Sequence, residues 1–294
     1  MKAKEVARGV YQVGLRGVNV FLIDAGDDLV LVDAGLRSSP ARITEAVYGL
    51  GRLPQDVRAI VVTHAHPDHV GGLAEMQRRT GAEIWMHPAD AALVRRGVLG
   101  RPLEAGPSRL SRTLVSALGR WSSRQGEAVV VAHELADGEE LPFGGLRAVH
   151  TPGHTDGHLA LLLPREGGVL FVGDAANHMA RLSLGALHEH ALESRRSIDK
   201  LAALEFEVAC FAHGRAIRHG ASGRYSVDLG KMPAAVAALG KELLEIEATG
   251  DQARSDKWFA KYGTFPAELT KALESAKNVP VDLDPVFSFP TKVR

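Results

Sequence analysis

The sequence predicts an α/β (α+β) fold, a four-layer sandwich in which two mixed β-sheets pack face to face with helices on both outer sides. Short apolar, β-branched runs alternate with segments of helical periodicity between residues 8 and 220. Loops bounded by glycine and rich in histidine and aspartate follow several of these runs, and a two-sheet sandwich gathers such loops along one edge. A small helical extension is predicted to complete the chain.

The first half of the chain alternates strands with helices. Strands are predicted at residues 10–13, 18–23, 29–32, 59–62 and 83–86. Turn signals at residues 16–17 and 25–28 separate the first three strands. Helices are predicted to begin near Pro40, with Ile43 and Val47 on one face, and to cover residues 73–80 and 89–95.

The second half repeats this pattern after an interruption. Strands are predicted at residues 128–132, 146–150, 159–163, 169–172 and 208–211, with a helix before the last strand. Before them, residues 95–126 are predicted to be a cap-like insertion, in which Leu110, Leu114, Leu118 and Trp121 recur at helical spacing opposite an arginine-rich face. Two interpretations stay open: the apolar stripe packs on the sheet, or the insertion covers a substrate pocket.

The carboxyl-terminal tail is predicted to be helical and separate from the main domain. Helices are predicted at residues 233–249 and 251–260 and from Pro266, where proline suits the first turn. We therefore divide the chain into a main domain, residues 1–225, and a helical extension, residues 226–294. The extension is expected to pack against the main domain or to form the interface of a homodimer.

The composition excludes several classes of protein. The 294 residues include 35 basic and 35 acidic side chains, and this net charge of zero gives no support for a nucleic acid or an anionic membrane as partner. No apolar run approaches the length of a membrane span. The start of the chain lacks the apolar core of a secretion signal, and a single cysteine excludes an intramolecular disulfide, so a cytoplasmic location is expected. That cysteine, Cys210, lies in an apolar run and is predicted to be a buried, inert thiol.

The strongest functional signal is the run of residues 63–71, which reads Thr-His-Ala-His-Pro-Asp-His-Val-Gly. It places four side chains that can bind a metal within six positions: His64, His66, Asp68 and His69. Imidazole nitrogens and carboxylate oxygens are ligands that zinc, iron and manganese accept. Because the run follows an apolar strand and precedes a helix, the sequence predicts a metal site on a strand-to-helix loop.

Three later fragments repeat the arrangement of a strand that ends in a loop with a histidine or an aspartate. They contain His154, four residues before His158, then Asp174 after Phe171-Val172-Gly173, and His213 after Cys210-Phe211-Ala212. Together with residues 63–71, these fragments resemble the motif set of the metallo-β-lactamase-fold superfamily, in its glyoxalase II and lactonase-like branch. The resemblance extends over about residues 8–220.

The resemblance implies two divalent metal ions, with zinc as the expected metal and iron or manganese as alternatives that accept the same ligands. The implied ligands of the first ion are His64, His66 and His154, and those of the second ion are Asp68, His69 and His213. The carboxylate of Asp174 would bridge the two ions.

Other residues are assigned supporting roles. Asp33 matches the aspartate that ends a strand in this superfamily, and it is expected to hold the ligand loop by hydrogen bonds. His158 is interpreted as a supporting residue rather than a ligand, because its proline- and glycine-rich context predicts a loop followed by a strand. His178, His188 and His190 follow Asp174, and His178 is the expected substrate contact among them. An exposed surface position is an equal alternative for these three.

The implied activity is hydrolysis of a small-molecule ester, lactone or thioester by a hydroxide that bridges the two ions. Asp68 is expected to orient that water and to pass a proton to the leaving group. True β-lactamases of this fold lack the bridging carboxylate, so Asp174 argues against antibiotic hydrolysis as the main task. The best-known quorum-signal lactonases have a tyrosine three residues after that aspartate, where this chain has Asn177.

An oxidative activity is the alternative from another class. The motif set also resembles that of persulfide dioxygenases, which bind one iron through two histidines and an aspartate, here His69, His154 and Asp174. Those enzymes continue the third motif with Thr-x-Gly-Cys, where this chain has His158 in the last position. The hydrolase is therefore the preferred prediction.

Overall fold

The described chain begins with four antiparallel strands that form one side of the first sheet. The computed structural model describes residues 3–101, 124–179, 182–184 and 188–222, together with Arg254. The four strands are β1 (Lys4–Ala7), β2 (Val10–Gly14), β3 (Asn19–Ala25) and β4 (Asp28–Val32). Gly26 turns the chain between the last two with a φ of 90°, a conformation that favours glycine.

Parallel strands and helices extend the first sheet. After helix α1 (Pro40–Gly49) come β5 (Val57–Val61), the short helix α2 (Pro67–Val70), α3 (Leu73–Thr80), β6 (Glu83–Met86) and α4 (Pro88–Val94). A small ribbon pairs β7 (Val98–Leu99) with β8 (Arg124–Gln125), and β9 (His133–Glu134) closes the sheet. The strand order is β1-β2-β3-β4-β5-β6-β9, and every pair from β4 onward is parallel.

The second sheet has the order β10-β11-β12-β15. Its strands are β10 (Arg147–His150), β11 (Leu159–Leu163), β12 (Val169–Gly173) and β15 (Val208–Phe211). Between β12 and β15 lie the pair β13 (Ala176–His178) and β14 (Leu182–Leu184), and helix α5 (Ala191–Ala202). The first three strands of this sheet are antiparallel, and β15 runs parallel to β12.

Alternating burial along the strands creates three apolar layers. In β4, Leu29 and Leu31 pack with the helices α1 and α3, whereas Val30 and Val32 pack between the two sheets. In β12, Phe171 faces the first sheet, and the neighbouring positions on the other face join the cluster that includes α5. The order of layers is therefore helix, sheet, sheet, helix, which confirms the predicted four-layer sandwich of two mixed sheets.

The parallel strands bring several loops to one edge of the sandwich. In the first sheet β4 and β5 run in the same direction, and in the second sheet β12 and β15 do so. Their carboxyl ends are followed by Asp33, the run 63–71, Asp174 and His213. At this edge the sheets are joined by a hydrogen bond of 2.8 Å from the backbone N–H of Leu159 to the carbonyl of Thr63.

The prediction of a strand at residues 128–132 is wrong, because regular pairing with the first sheet begins only at β9. Val129 and Val131 are buried and Val130 is 75% exposed, so the burial alternates as in a strand. The backbone N–H of Ala132 nevertheless bonds to Ile84, and regular pairing begins only at β9.

Other predictions fall partly or wholly outside the described residues. Two such predictions are the apolar stripe of the 95–126 insertion and the helices after residue 225. Cys210 is fully buried, as predicted, and burial raises the pKa of its thiol. No helix in the described part of the chain has the length and apolar character that crossing a membrane requires.

Candidate metal centre

The run 63–71 folds into an extended segment followed by one helical turn. His66 has extended backbone angles and immediately precedes α2, in which Pro67 takes the first position, where its missing N–H is not needed. The turn places Asp68 and His69 beside the extended segment that carries His64. A Cβ atom at Gly71 would lie 2.3 Å from the carbonyl oxygen of Pro67, so only glycine allows this close return of the chain.

Three buried histidines form the first candidate ligand group. Nδ1 of His66 lies 3.0 Å from Nε2 of His64 and 2.8 Å from Nε2 of His154, and these two Nε2 atoms are 3.1 Å apart. Two nitrogens bound to one tetrahedral zinc ion at about 2.0–2.1 Å lie roughly 3.3 Å apart. The three nitrogens therefore converge on one point with nearly the spacing that a common cation imposes.

Asp68, His69 and His213 form the second candidate ligand group. Nε2 of His213 is 3.3 Å from Oδ2 of Asp68, and Nε2 of His69 is 3.7 Å from the same oxygen. Asp174 lies between the two groups: Oδ2 is 3.2 Å from Nε2 of His213 and 3.5 Å from Nε2 of His154. Its other oxygen, Oδ1, is 3.5 Å from Nε2 of His69. All seven sequence-predicted ligands are thus brought together in one cluster.

The donor atoms of this cluster fit metal ions. Among the atoms that the two groups and Asp174 turn toward one another, two buried atoms have no hydrogen-bond partner within the described residues: Nε2 of His69 and Oδ1 of Asp174. Leaving such atoms without a partner costs about 1–3 kcal/mol each. A neutral imidazole offers one donor and one acceptor nitrogen, so three nitrogens that face each other cannot satisfy one another fully. Divalent cations accept this combination of nitrogen and oxygen ligands.

The two groups differ in electrostatics. Burial lowers the pKa of His64, His66 and His154, so these imidazoles are neutral and present lone pairs. Burial alone would also lower the pKa of His69, but the carboxylates around it, of which Asp174 acts most strongly, raise it well above the ordinary value. Burial alone would also lower the pKa of His213, but Asp174 and Asp68 outweigh this effect and raise the pKa to about 10. The carboxylates that stabilise these positive charges would equally attract a metal cation.

Asp33 supports the ligand loop, as its position at the end of β4 suggests. One carboxylate oxygen accepts the backbone N–H of Thr63 at 2.8 Å, and the other accepts Nδ1 of His69 at 2.9 Å. Asp33 has a φ of 61°, in the left-handed region that few residues other than glycine adopt. Its bond to Nδ1 directs Nε2 of His69 toward Asp68 and Asp174.

Both ring nitrogens of His158 are engaged in hydrogen bonds. Nε2 accepts the backbone N–H of Asp174 at 2.9 Å, and Nδ1 lies 2.8 Å from Oγ1 of Thr151. Burial lowers the pKa of His158 to about 3, so the ring is neutral and Nδ1 donates to the threonine hydroxyl. A Cβ atom at Gly173 would lie 2.5 Å from Nε2 of His158, so glycine is required there. The ring thus holds the backbone that carries Asp174.

We expect His158→Phe to lower Tm while the metal stoichiometry stays the same. Phenylalanine fills a similar volume but leaves the buried N–H of Asp174 without an acceptor, which costs about 1–3 kcal/mol. That cost corresponds to a fall in Tm of roughly 2–12 °C for a domain of this size. Thermal unfolding and elemental analysis measure the two effects, with His219→Phe, at an exposed histidine, as the control. Loss of one ion per chain would instead identify His158 as a ligand, whatever the change in Tm.

The remaining histidines lie around the cluster or away from it. Nδ1 of His178, the expected substrate contact, donates to the carbonyl of Arg215 at 2.8 Å, and its backbone N–H bonds to His213. His188 lies nearer to the first group, with its ring centre 6.1 Å from that of His154, and it contacts Oγ of Ser194 at 2.7 Å. The substrate role of His178 stays a prediction.

Three further histidines, His87, His133 and His150, belong to neither ligand group. His87 and His150 stack with ring centres 4.1 Å apart, and Nδ1 of His87 accepts the N–H of Ala89 at the start of α4. The ring of His133 stacks on that of Trp85, with ring centres 3.7 Å apart. These contacts are local packing and hydrogen bonding within the framework of the domain.

Sequence reasoning missed Asn19, which fixes the loop that carries His213. Its side-chain amide donates to the carbonyls of Phe211 at 3.0 Å and Gly214 at 2.9 Å. The carbonyl of Gly17, in the same hairpin, accepts Nδ1 of His213 at 2.7 Å. An amide within an otherwise apolar strand was the available signal, but nothing in the sequence connects it to a loop almost 200 residues away.

A family model described as the metallo-beta-lactamase superfamily matches residues 13–213. Among curated proteins, the probable metallo-hydrolase YflN of Bacillus subtilis (strain 168) is 28% identical over 229 residues, which cover 71% of this chain and 85% of YflN. The hydroxyacylglutathione hydrolase of Cupriavidus metallidurans is 31% identical over 192 residues, or 63% of this chain. The chain spans 58% of that hydrolase and 61% of the uncharacterized Bacillus subtilis protein YobT.

Solved structures give the same result for the fold. The subclass B3 metallo-beta-lactamase BJP-1 of Bradyrhizobium japonicum superposes with a TM-score of 0.56 at 25% identity, covering 72% of this chain and 78% of BJP-1. A metallo-beta-lactamase with a HARLDQ motif from Cronobacter sakazakii superposes with a TM-score of 0.58 over 95% of this chain, at 22% identity. The second likeness concerns the fold alone. The chain therefore belongs to the metallo-beta-lactamase superfamily, a membership that supports a metal-dependent hydrolase.

Proposed function

We propose that this protein is a dinuclear metal-dependent hydrolase that acts on the carbonyl group of a small-molecule ester, lactone or thioester. The observation that carries the proposal is the position of Asp174. Its carboxylate lies within 3.5 Å of ring nitrogens of His154, in the first group, and of His69 and His213, in the second. A carboxylate has two oxygens, so one side chain in this position can serve two ions.

The proposed roles follow from the donor atoms. His64, His66 and His154 would hold one ion through nitrogen alone, and Asp68, His69 and His213 would hold the other through nitrogen and oxygen. Two divalent ions held here would lower the pKa of a coordinated water and polarise the carbonyl of the substrate. Zinc is the proposed metal, and iron and manganese are compatible with the same donors.

Asp68 is the proposed catalytic residue. Its side chain is largely buried beside the second group, where Oδ2 lies 3.3 Å from Nε2 of His213. Burial acts to raise the pKa of Asp68, but His69 and His213 outweigh that effect and lower it, so the side chain is a carboxylate. A carboxylate at this place can accept a proton from the attacking water and deliver it to the leaving group.

The choice of carbonyl substrates has two supports. One relative is named hydroxyacylglutathione hydrolase, which places a glutathione conjugate among the substrates to test. The superposed structures are β-lactamases, but the resemblance makes Asp174 a bridging carboxylate of a kind that true β-lactamases lack, so lactam hydrolysis is not proposed as the main task.

We further propose that residues 1–225 contain the whole of this chemistry and that residues 226–294 form a separate helical extension. All candidate ligands and the residues that hold them lie between Gly17 and Gly214, which supports the first half of this proposal. The extension would influence association between chains before it influences turnover.

Elemental analysis of the purified protein tests the proposal directly. We expect about two zinc or other divalent ions per chain, together with turnover in a panel of esters, lactones and thioesters. A single iron per chain, with oxygen consumption on a persulfide substrate, would overturn the hydrolase in favour of an oxidative enzyme. Two ions without turnover on any carbonyl substrate would overturn the proposed substrate class.

A further inference from the structure

Asp90 is a fully buried carboxylate that belongs to neither ligand group. Oδ2 accepts the backbone N–H of Ala65 at 2.9 Å and the hydroxyl of Thr155 at 2.8 Å. Oδ1 accepts the backbone N–H of Gly157 at 3.2 Å and Nη1 of Arg101 at 3.0 Å. Four donors from three parts of the chain thus converge on one side chain in α4.

Two of these donors lie directly beside candidate ligands. Ala65 stands between His64 and His66, and Thr155 follows His154. The first loop comes from β5 in the first sheet, and the second connects β10 with β11 in the second sheet. A single oxygen of Asp90 therefore joins the two loops whose histidines must converge.

We propose that Asp90 is a positioning residue that sets the distance between these two loops and so the affinity of His64, His66 and His154 for a metal ion. This inference rests on the proposed function, because it assumes that the first group binds a metal. The nitrogens of the group are 2.8–3.1 Å apart, so a small displacement of one loop changes the geometry offered to the ion. Supporting residues of this kind typically contribute about 10–100-fold to metal affinity or activity.

Arg101 compensates the charge of Asp90 and also contacts Glu189, which binds the turn at residues 155–157. Its guanidinium also lies 3.1 Å from Oε2 of Glu189 and donates to the carbonyl of Ala89 at 2.7 Å. Glu189 accepts the backbone N–H of Asp156 at 2.8 Å. A buried carboxylate needs such a partner, since an unpaired charge in the interior is strongly destabilising. The turn at residues 155–157 is therefore held from both sides by one ionic cluster.

The packing around Gly157 shows how closely the backbone approaches Asp90. A Cβ atom at this position would lie 2.6 Å from Cγ and Oδ1 of Asp90 and 2.7 Å from its backbone nitrogen. Real Cβ contacts are not this short. The absence of a side chain at Gly157 lets the backbone N–H reach the carboxylate, and the turn has no room to move toward α4.

The second ligand group is held by other residues. His69 is oriented by Asp33, and His213 by the carbonyl of Gly17, and neither contact involves Asp90. Loss of the Asp90 carboxylate should therefore weaken metal binding at the first group and leave the second group unchanged. A general loss of stability would weaken both groups together.

The test is a Zn²⁺ titration of Asp90→Asn followed by the ¹H–¹⁵N spectra of the histidine rings. Asparagine keeps the volume but turns an NH₂ group toward donors that need an acceptor. We expect the ring signals of His64, His66 and His154 to require about 10–100-fold more Zn²⁺ than in the wild type, while those of His69 and His213 shift as before.

Two further variants make the outcome decisive. Asp137→Asn is the control, because this exposed carboxylate also accepts a backbone N–H, of His150, and an ammonium group, of Lys200, away from the cluster. Thr155→Val removes one bond to Asp90 without a change of charge, and it should give a smaller loss confined to the first group, even if Asp90→Asn fails to fold.

The outcomes separate this inference from the proposed function. A wild-type protein that binds no Zn²⁺ at either group would overturn the proposed function itself. Wild-type binding at both groups, with unchanged affinity in Asp90→Asn or in Thr155→Val, would overturn only the positioning role. Equal weakening of both groups would also overturn it.

Discussion

Asp68→Ala is expected to lower kcat by about 10²–10⁴-fold, the range in which general acid–base groups contribute. The variant removes the carboxylate proposed to carry a proton from the attacking water to the leaving group. It also removes one of the three donors of the second group, so the true loss should lie at the upper end of this range. Steady-state kinetics on a substrate from the ester and thioester panel measures the effect.

The fold should survive this replacement, because Asp68 lies on the single-turn helix α2 and its side chain contacts the candidate ligands rather than the apolar core. Circular dichroism and thermal unfolding check that point. Glu75→Ala is the matched control: this exposed carboxylate on α3 pairs only with Arg78 and Arg79 among the described residues. His66→Ala should lose turnover at least as completely. Wild-type activity in Asp68→Ala or His66→Ala would contradict the assignment of the site.

Removal of the metal is expected to lower Tm by roughly 5–16 °C and to abolish turnover. A ligand present at 100–1,000 times its Kd stabilises the folded state by about 2.7–4.1 kcal/mol. In a domain of about 150–250 residues each kcal/mol corresponds to about 2–4 °C. Thermal unfolding before and after chelation measures the shift, and addition of Zn²⁺ should restore both Tm and activity.

The physical basis of this shift is that the candidate ligands come from both sheets. His66 belongs to a loop of the first sheet, and His154 and His213 belong to loops of the second. Chelation should shift the Tm of His66→Ala less than that of the wild type, because that variant has lost part of the site. Identical unfolding curves with and without chelator in the wild type would contradict the presence of a stabilising metal.

Much of the sandwich and its cluster could be predicted because the signals are local in the sequence. The apolar alternation of β4 and β12 reports directly which face packs on which layer. The residues from His64 to His69 stand so close in the chain that their proximity in space needs no knowledge of the fold. The later loops were predictable because parallel strands bring their carboxyl ends to one edge.

The supporting contacts of Asp33 and His158 were predicted, but those of Asn19 and Asp90 could not be predicted in this way. Asn19 acts on a loop 192 to 195 residues away, and Asp90 joins loops from two sheets. An acidic residue in the first turn of a helix is common for local reasons, so nothing in the sequence distinguishes Asp90. The short helix α2 was missed because Pro67 and the dense ligands resemble a loop, and β1 because it is short and half polar.

The positions of the candidate ligands along the chain determine the order in which the ribosome adds them during protein synthesis. His213 follows His64 by 149 residues, the difference between their positions. At about 5–20 residues per second, the ribosome adds those residues in about 7–30 s. His154 appears earlier, so a nascent chain has all three nitrogen donors of the first group before the second group is complete. If zinc is present during translation, the first candidate group would therefore be complete before the second.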